Sequence, residues 1–307
     1  MAASAPGKLI LFGEHAVVFG EPALCTAISL RTEVFARPNP EWLVDGASLD
    51  EPKYRYVKAA FKRAWEDGPL WLEIRSMIPT GTGLGSSAAV TVASLGAAYA
   101  LKDRFDPPKI AREAFEVEHE VQGRASPIDT STATAGGGVL VKPEEGEDLL
   151  WTLRRDTRRW SLHRCALPEL TFVVGNTGIS AATGPLVAGV KARVDASPAA
   201  ADQVKEIGRI TLDGLAALQR RDWEAAGRLM DRDQELLNAL GVGHPALEKL
   251  VKAARPSSYG AKLTGAGGGG SMFALTDEPK KTADAIRAAG GKAFLVRSDP
   301  VGVRRLP

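Results

Sequence analysis

The chain has 307 residues, a quarter of them charged, and a formal net charge of +2. That near balance excludes a dedicated nucleic-acid surface: the densest basic run, Arg154, Arg155, Arg158 and Arg159 between Trp151 and Trp160, reads as a solvated strand or loop face. No stretch approaches the ~18 apolar residues of a membrane span, and Met1 to Lys8 lacks the basic flank and apolar core of a secretory leader. Two distant cysteines, Cys25 and Cys165, read as buried free thiols of a reducing compartment, so the expectation is a cytosolic protein of two ordinary-sized domains.

In chain order, Lys8 to Phe12 reads as a short buried strand, Ala27 to Ala36 as a second and Leu70 to Arg75 as a third. Val90, Val92, Leu95, Ala98 and Leu101 recur at helical spacing and predict a helix from Ser87 to Leu101. A second helix runs from Lys109 to Val121, opened by Pro107 and Pro108 and closed by Gly123. Val139 to Lys142 and Leu170 to Gly175 are strands, with Pro143 to Asp148 a surface loop between them. Amphipathic helices follow over Pro198 to Arg220, Trp223 to Leu240 and Pro245 to Ala254. Strands at Ala261 to Thr264 and Ser271 to Leu275, a helix at Lys280 to Ala289 and a strand at Ala293 to Arg297 end the chain. Strands packed on helices without strict alternation predict an α+β fold, with domains at 1–168 and 169–307.

The stretch Pro79 to Ala89 changes abruptly from glycine punctuation to an apolar helical run. Gly81, Gly83 and Gly85 permit turns closed to other residues and a close approach to a bulky anion. Ser86 and Ser87 stand where the first helical N–H groups are unpaired and the helix dipole is positive, which favours phosphate. The same sequence also serves as a plain strand-to-helix turn capped by Ser86. It carries no Gly-Lys-Ser/Thr ending of a Walker loop, so a lysine and carboxylates must come from elsewhere.

A second cluster, Lys262 to Gly270, has five glycines among the six residues from Gly265 to Gly270. Each costs roughly 0.5–1 kcal/mol in ordering entropy relative to alanine. Either a hairpin bulge or a loop touching a substrate or another loop explains them. Lys8, opening an apolar strand, wants an anionic partner. Glu118 reads either as a site carboxylate or as an exposed helix acid beside Glu113, Glu116 and Glu120. Asp129, in the apparent loop Ala125 to Ser131, reads as a site carboxylate or a helix N-cap, and His15 as a turn histidine.

In this order the pieces Ala5-Pro-Gly-Lys8, Pro79 to Ala89 and Lys262 to Gly270 resemble the three motifs of the GHMP kinases, small-molecule kinases named for galactose, homoserine, mevalonate and phosphomevalonate. Gly13 to Gly20, Ser126 to Thr130 with Glu118 before it, and Asp233 to Val242 are similar to the mevalonate-phosphorylating members. Ser271, where cysteine is frequent, and Pro127, where glycine is common, are local departures.

The resemblance implies a ribosomal-protein-S5-like N-terminal domain and a ferredoxin-like C-terminal domain. It implies transfer of the ATP γ-phosphoryl group to mevalonate, with Mg2+ as metal, no nucleic-acid or membrane partner, and a homodimer as a family possibility. Gly81, Gly83, Leu84, Gly85, Ser86, Ser87 and Ala88 would bind the nucleotide, and Ser87 and Glu118 the metal. Asp129 would take the alcohol proton with Lys8 supporting the charge. Glu14, His15, Asp129, Gly265, Ala266 and Gly267 would meet the substrate. Another kinase of the family, a phosphomevalonate or sugar kinase, a related decarboxylase, or a non-catalytic nucleotide-binding regulator are the competing readings.

Overall fold

A computed structural model describes residues 1–123 and 125–307 of the chain. Its elements in order are β1 (Ala2–Phe12), β2 (Ala23–Pro38), β3 (Leu43–Val44), β4 (Ala47–Ser48), α1 (Arg55–Ala64), β5 (Leu70–Ser76), α2 (Ser86–Leu101) and α3 (Pro107–Gln122). There follow α4 (Pro127–Ala135), β6 (Gly138–Lys142), β7 (Leu149–Arg155), β8 (Arg158–Cys165) and β9 (Thr171–Asn176). The rest is α5 (Thr183–Ala196), α6 (Pro198–Gln219), α7 (Trp223–Ala239), α8 (Pro245–Ala254), β10 (Gly260–Thr264), β11 (Ser271–Leu275), α9 (Pro279–Ala288), β12 (Lys292–Arg297) and β13 (Arg304–Leu306).

The larger sheet is organised by β2. One edge pairs with β1 along most of its length, while the other pairs with β6 near its start and with β5 near its end. On this sheet lies α2, whose sequence is apolar or small on nearly every face and is buried all round, as befits a helix wrapped by protein. Smallness matters here: a Cβ on Gly96 would come within 2.9 Å of the Ala3 side chain. The helices α1 and α3 pack beside it, giving one apolar core of Val57, Phe61, Val92, Leu95, Ile110 and Val117.

The smaller sheet is antiparallel in the spatial order β10-β11-β9-β12. In chain order these are its second, third, first and fourth strands. With helices after the first and third, this is the β-α-β-β-α-β ferredoxin-like arrangement. A continuous core joins the two sheets, since Leu9, Leu11 and Phe12 of β1 pack with Val204 and Ile207 of α6 and with Leu263 of β10. The change of sheet falls between Cys165 and Thr171, but the last strand, β13, returns to pair with β1.

Several elements depart from the sequence expectation. β1 begins six residues before Lys8, so Ala5-Pro-Gly-Lys8 lies inside a strand, with a bulge between Pro6 and Gly7. The segment holding Asp129 is a helix rather than a loop. The helices α1 and α5 and the strands β3, β4, β7, β8 and β13 go beyond the expected elements. Of the two free thiols, Cys25 is buried and Cys165 only half-buried. The arginine-rich run forms the β7–β8 hairpin, where Arg155 pairs with Glu116 and Arg159 with Glu145. Its tryptophans face inward, Trp151 donating to the Ser131 hydroxyl at 3.0 Å and Trp160 packing edge-on against Phe115. Among the described residues, no helix is long and apolar enough to cross a membrane.

The returning tail is held by one buried arginine. Arg31 of β2 donates to the Asp299 carboxylate at 2.6 Å, to the Ser4 hydroxyl at 2.8 Å and to the Gly302 carbonyl at 2.7 Å. Replacing Arg31 with Met leaves the half-buried Asp299 carboxylate with the Val301 N–H as its remaining donor, and takes the donor from the buried Gly302 carbonyl. Urea unfolding should then show a loss of about 3–5 kcal/mol and faster proteolysis near residue 300. An unchanged midpoint would mean that β13 pairing and the backbone bonds of residues 298–303 hold the tail without the arginine.

Candidate active site

The glycines of the loop Pro79 to Ala89 do what their spacing requires. Gly81, Gly83 and Gly85 have φ of 72°, 74° and 78°, in the left-handed region that side chains with a Cβ rarely enter. Gly85 is the N-cap of α2, and no side chain caps the helix there. A Cβ on Gly85 would lie 2.7 Å from Cγ of Lys8, so only glycine lets the helix start this close to β1. The Lys8 backbone N–H closes the approach by donating to the Leu84 carbonyl at 3.0 Å. The first-turn amides of Ser86, Ser87 and Ala88 are thus offered beside an ammonium group.

Lys8 itself is buried, and its ammonium lies 3.0 Å from the Asp129 carboxylate. Burial alone would lower the pKa of the ammonium. The opposing charge of Asp129, with smaller help from Cys25 and Glu118, outweighs burial and raises it above its ordinary value. Asp129 stands in the first turn of α4, a helix capped by the Ser126 hydroxyl. Pro127 occupies the first helical position, where its missing N–H costs nothing. The carboxylate is therefore carried on a short rigid helix and aimed at β1.

Glu118, on the inner face of α3, is buried, and the Ser87 hydroxyl donates to it at 3.2 Å. Desolvation first, then the nearby Asp129 charge, push its pKa up to about 8 against the weaker pulls of Ser87 and Lys8. Among the described residues there is no cluster of three or more acidic, His or Cys side chains fit to hold a metal alone. A hard cation that takes most of its oxygens from phosphate and water needs only a hydroxyl and a carboxylate from the protein. The Ser87–Glu118 pair, a buried acid short of positive charge beside the uncapped helix start, fits a magnesium ion of that kind.

The other side of the site is built where the lobes meet. Gly13 ends the first strand, and the turn places His15 at φ 62°, strained for a residue with a side chain. The ring is buried, and its Nε2 donates to the Ala266 carbonyl at 2.9 Å in the second glycine cluster. Because that carbonyl can only accept, Nδ1 is the bare nitrogen. Burial, helped by Lys262, lowers the pKa of the imidazole despite this bond, so the ring is neutral near pH 7. Within the cluster Gly267 has φ 78°, and a Cβ there would meet the Val242 carbonyl at 2.1 Å. The loop is thus seated against the end of α7, while Gly265 faces open space.

Glu14 is the main departure from the expected site. Its side chain is buried and holds the Lys262 ammonium across the lobe boundary. Asp233 of α7 lies 3.3 Å from the same ammonium. Lys262 also donates to the Leu263 carbonyl at 3.0 Å, while the Gln234 side chain accepts from the Leu263 N–H at 2.7 Å. Two buried carboxylates share one lysine, so desolvation and the Asp233 charge, opposed by Lys262, push Glu14 up to about 7. Burial, opposed by Lys262, raises Asp233 as well. The sequence argument missed this lysine, although Lys262 between Ala261 and Leu263 carries the signal that singled out Lys8.

Residues 54–137 match the family described as GHMP kinases N terminal domain, and residues 215–295 that described as GHMP kinases C terminal. The chain is 36% identical to a mevalonate kinase of Pyrococcus abyssi, covering 98% of this chain and 96% of that one. It is also 36% identical to a mevalonate kinase of Archaeoglobus fulgidus, over 99% of each chain. Among solved structures, L. major mevalonate kinase in complex with R-mevalonate superposes with a TM-score of 0.83 at 26% identity, covering 97% of this chain and 96% of that one.

The buried acids give the ligand-free chain a defined pH dependence. Glu118 holds its proton to about 8 when folded, against an ordinary 4.5, so between those values the folded chain binds a proton that the unfolded chain releases. Stability from this group is full below the lower value and is lost as pH rises through the window. Glu118→Gln should flatten the slope of urea unfolding free energy against pH, leaving the share due to Glu14 and Asp233. An unaltered slope would mean that Glu118 is already ionised in the fold.

Proposed function

The chain belongs to the GHMP kinases, and from that membership we infer that it transfers the γ-phosphoryl group of ATP to the 5-hydroxyl of (R)-mevalonate, giving 5-phosphomevalonate and ADP. The observation that carries the reading is the Lys8–Asp129 pair beside the uncapped start of α2. Phosphoryl transfer asks of a protein mainly positioning and charge neutralisation, and these groups supply both.

In this reading Gly81, Gly83, Leu84 and Gly85 and the amides of Ser86, Ser87 and Ala88 cradle the phosphates. Ser87 and Glu118 would hold a magnesium ion, which would supply neutralisation of phosphate charge. Asp129, about a third exposed where Lys8 is buried, accepts the proton of the primary alcohol. The alkoxide oxygen then bonds to the γ-phosphorus as the bond to the ADP oxygen breaks. Lys8, held 3.0 Å from the base, stabilises the charge that develops there.

Gly265, Ala266 and Gly267 form the acceptor side, and His15 supports them through the Ala266 carbonyl. Glu14 is read as acting on the acceptor side through its pairing with Lys262. Family analogy extends the reading to a cytosolic enzyme and to a homodimer, which light scattering tests.

A panel of mevalonate, phosphomevalonate, homoserine and galactose, with ADP release and carbon dioxide both followed, tests the acceptor. ADP release with mevalonate alone, without carbon dioxide, is the expected outcome, and release with another acceptor only would overturn it. Asp129→Asn keeps the shape but not the base, so kcat should fall by ~10²–10⁴ with ATP binding nearly unchanged. Wild-type turnover in that variant would remove Asp129 from the mechanism.

His15→Ala should raise the KM for mevalonate about ten- to a hundredfold, the effect of ~1–3 kcal/mol of lost hydrogen bonding, and barely move that for ATP. A rise confined to ATP would put His15 on the nucleotide side.

A further inference from the structure

We propose that Ser271 and Asn176, both in the C-terminal sheet, are positioning residues for the ATP phosphate loop of the other lobe. The proposal rests on the reading of Pro79 to Ala89 as that loop. Ser271, the first residue of β11, is 1% exposed, and its hydroxyl donates to the Thr82 carbonyl at 2.7 Å. Asn176, directly opposite it at the end of β9, donates its amide to the Ser271 hydroxyl oxygen at 3.0 Å and to the Gly270 carbonyl at 3.2 Å. The Asn176 side-chain oxygen is itself fixed by the Gly178 N–H at 2.9 Å.

The directions in this chain are forced. An amide N–H can only donate, so the Ser271 oxygen accepts from Asn176, and its own proton goes to the Thr82 carbonyl. Thr82 sits between Gly81 and Gly83, whose φ values of 72° and 74° leave the loop backbone with the freedom that glycine brings. Within the N-terminal lobe the loop has a local bond from the Thr82 hydroxyl to the Pro79 carbonyl at 2.7 Å and the Lys8 bond at Leu84. The C-terminal sheet adds an anchor at the middle of the loop, made from 189 residues away in sequence.

The consequence is a division of labour within one hairpin. Strand β10, through Lys262, fixes the acceptor-side turn at Glu14, and strand β11, through Ser271, fixes the nucleotide-side loop at Thr82. Each tether crosses between the lobes, and loss of either should show on one substrate only.

The test uses the full-length enzyme with Ser271→Ala and Ser271→Cys. Affinity for a non-hydrolysable ATP analogue is measured calorimetrically without acceptor, alongside KM for ATP, KM for mevalonate and thermal unfolding. Ser271→Ala leaves the buried Thr82 carbonyl without its donor, so analogue affinity should fall and the KM for ATP rise about tenfold. The KM for mevalonate should stay within about twofold. The thiol of Ser271→Cys is a weak donor of similar shape, so that variant should fall between alanine and wild type.

An analogue affinity unchanged in Ser271→Ala overturns the proposal. So does a parallel rise of both KM values that follows a fall in unfolding temperature, because that is loss of packing alone. The calorimetric readout needs no acceptor, so it judges the tether even where the panel assigns a different alcohol. A wild-type enzyme that does not bind the analogue overturns both the tether and the nucleotide reading.

Discussion

Two lysines buried in strands that meet between the lobes, Lys8 in β1 and Lys262 in β10, constrain everything around the site. A buried ammonium is tolerable only with charge and hydrogen-bonding partners, so each position dictates where carboxylates must stand. Lys8 obtains Asp129, which requires a helix start beside the first strand. Lys262 obtains Glu14 and Asp233, which requires α7 and the first turn of the chain to close on β10. The two solutions differ in what they leave over. At Lys8 the partner carboxylate is partly open to solvent and can meet a substrate. At Lys262 both acids are enclosed, so that cluster works as a joint between the lobes.

The joint also explains how the proposed acceptor side can be built from residues so far apart. His15 follows Glu14 directly, and Ala266 lies four residues beyond Lys262, so closing the ion pair brings the imidazole to the Ala266 carbonyl. The strained backbone at His15 is held there by two interactions from the other lobe. Neither would survive separation of the lobes, and the acceptor side is therefore a property of the assembled chain.

Much of this was legible in the residues, and the failures have particular causes. Glycine runs announce their own backbone, so both loops were identified and their positive φ values follow. Helices with one clear apolar stripe, such as α6 to α8, were placed within about two residues. The α4 segment reads as a loop in the sequence, and Thr130, Ser131, Thr132 and Thr134 are poor helix formers. In the fold Thr132 and Thr134 return their hydroxyls to the Ile128 and Thr130 carbonyls at 2.7 Å, and burial holds the turn that propensity would not. α5 offers little pattern to read, with Val190 its buried residue. The Glu14–Lys262 contact spans 248 residues of sequence, and no local spacing encodes it.

The charges on the proposed phosphate side have a definite logic. The uncapped start of α2 and the Lys8 ammonium are positive, and Asp129 opposes them more fully than Glu118, whose pKa burial pushes up to about 8. A polyanion thus meets a site whose balance favours it before any metal is counted. Glu118 becomes a good oxygen ligand only by losing that proton, and a nearby cation is what makes the loss favourable. Below about pH 8 the group should therefore release a proton as nucleotide and metal bind, and the release should shrink as pH rises past that value. Asp129, by contrast, is held by an ammonium that the fold itself provides. In the proposed reading the site thus separates two carboxylates that it places close together, one tied to a permanent cation for proton transfer and the other fitted to a cation that arrives with the nucleotide.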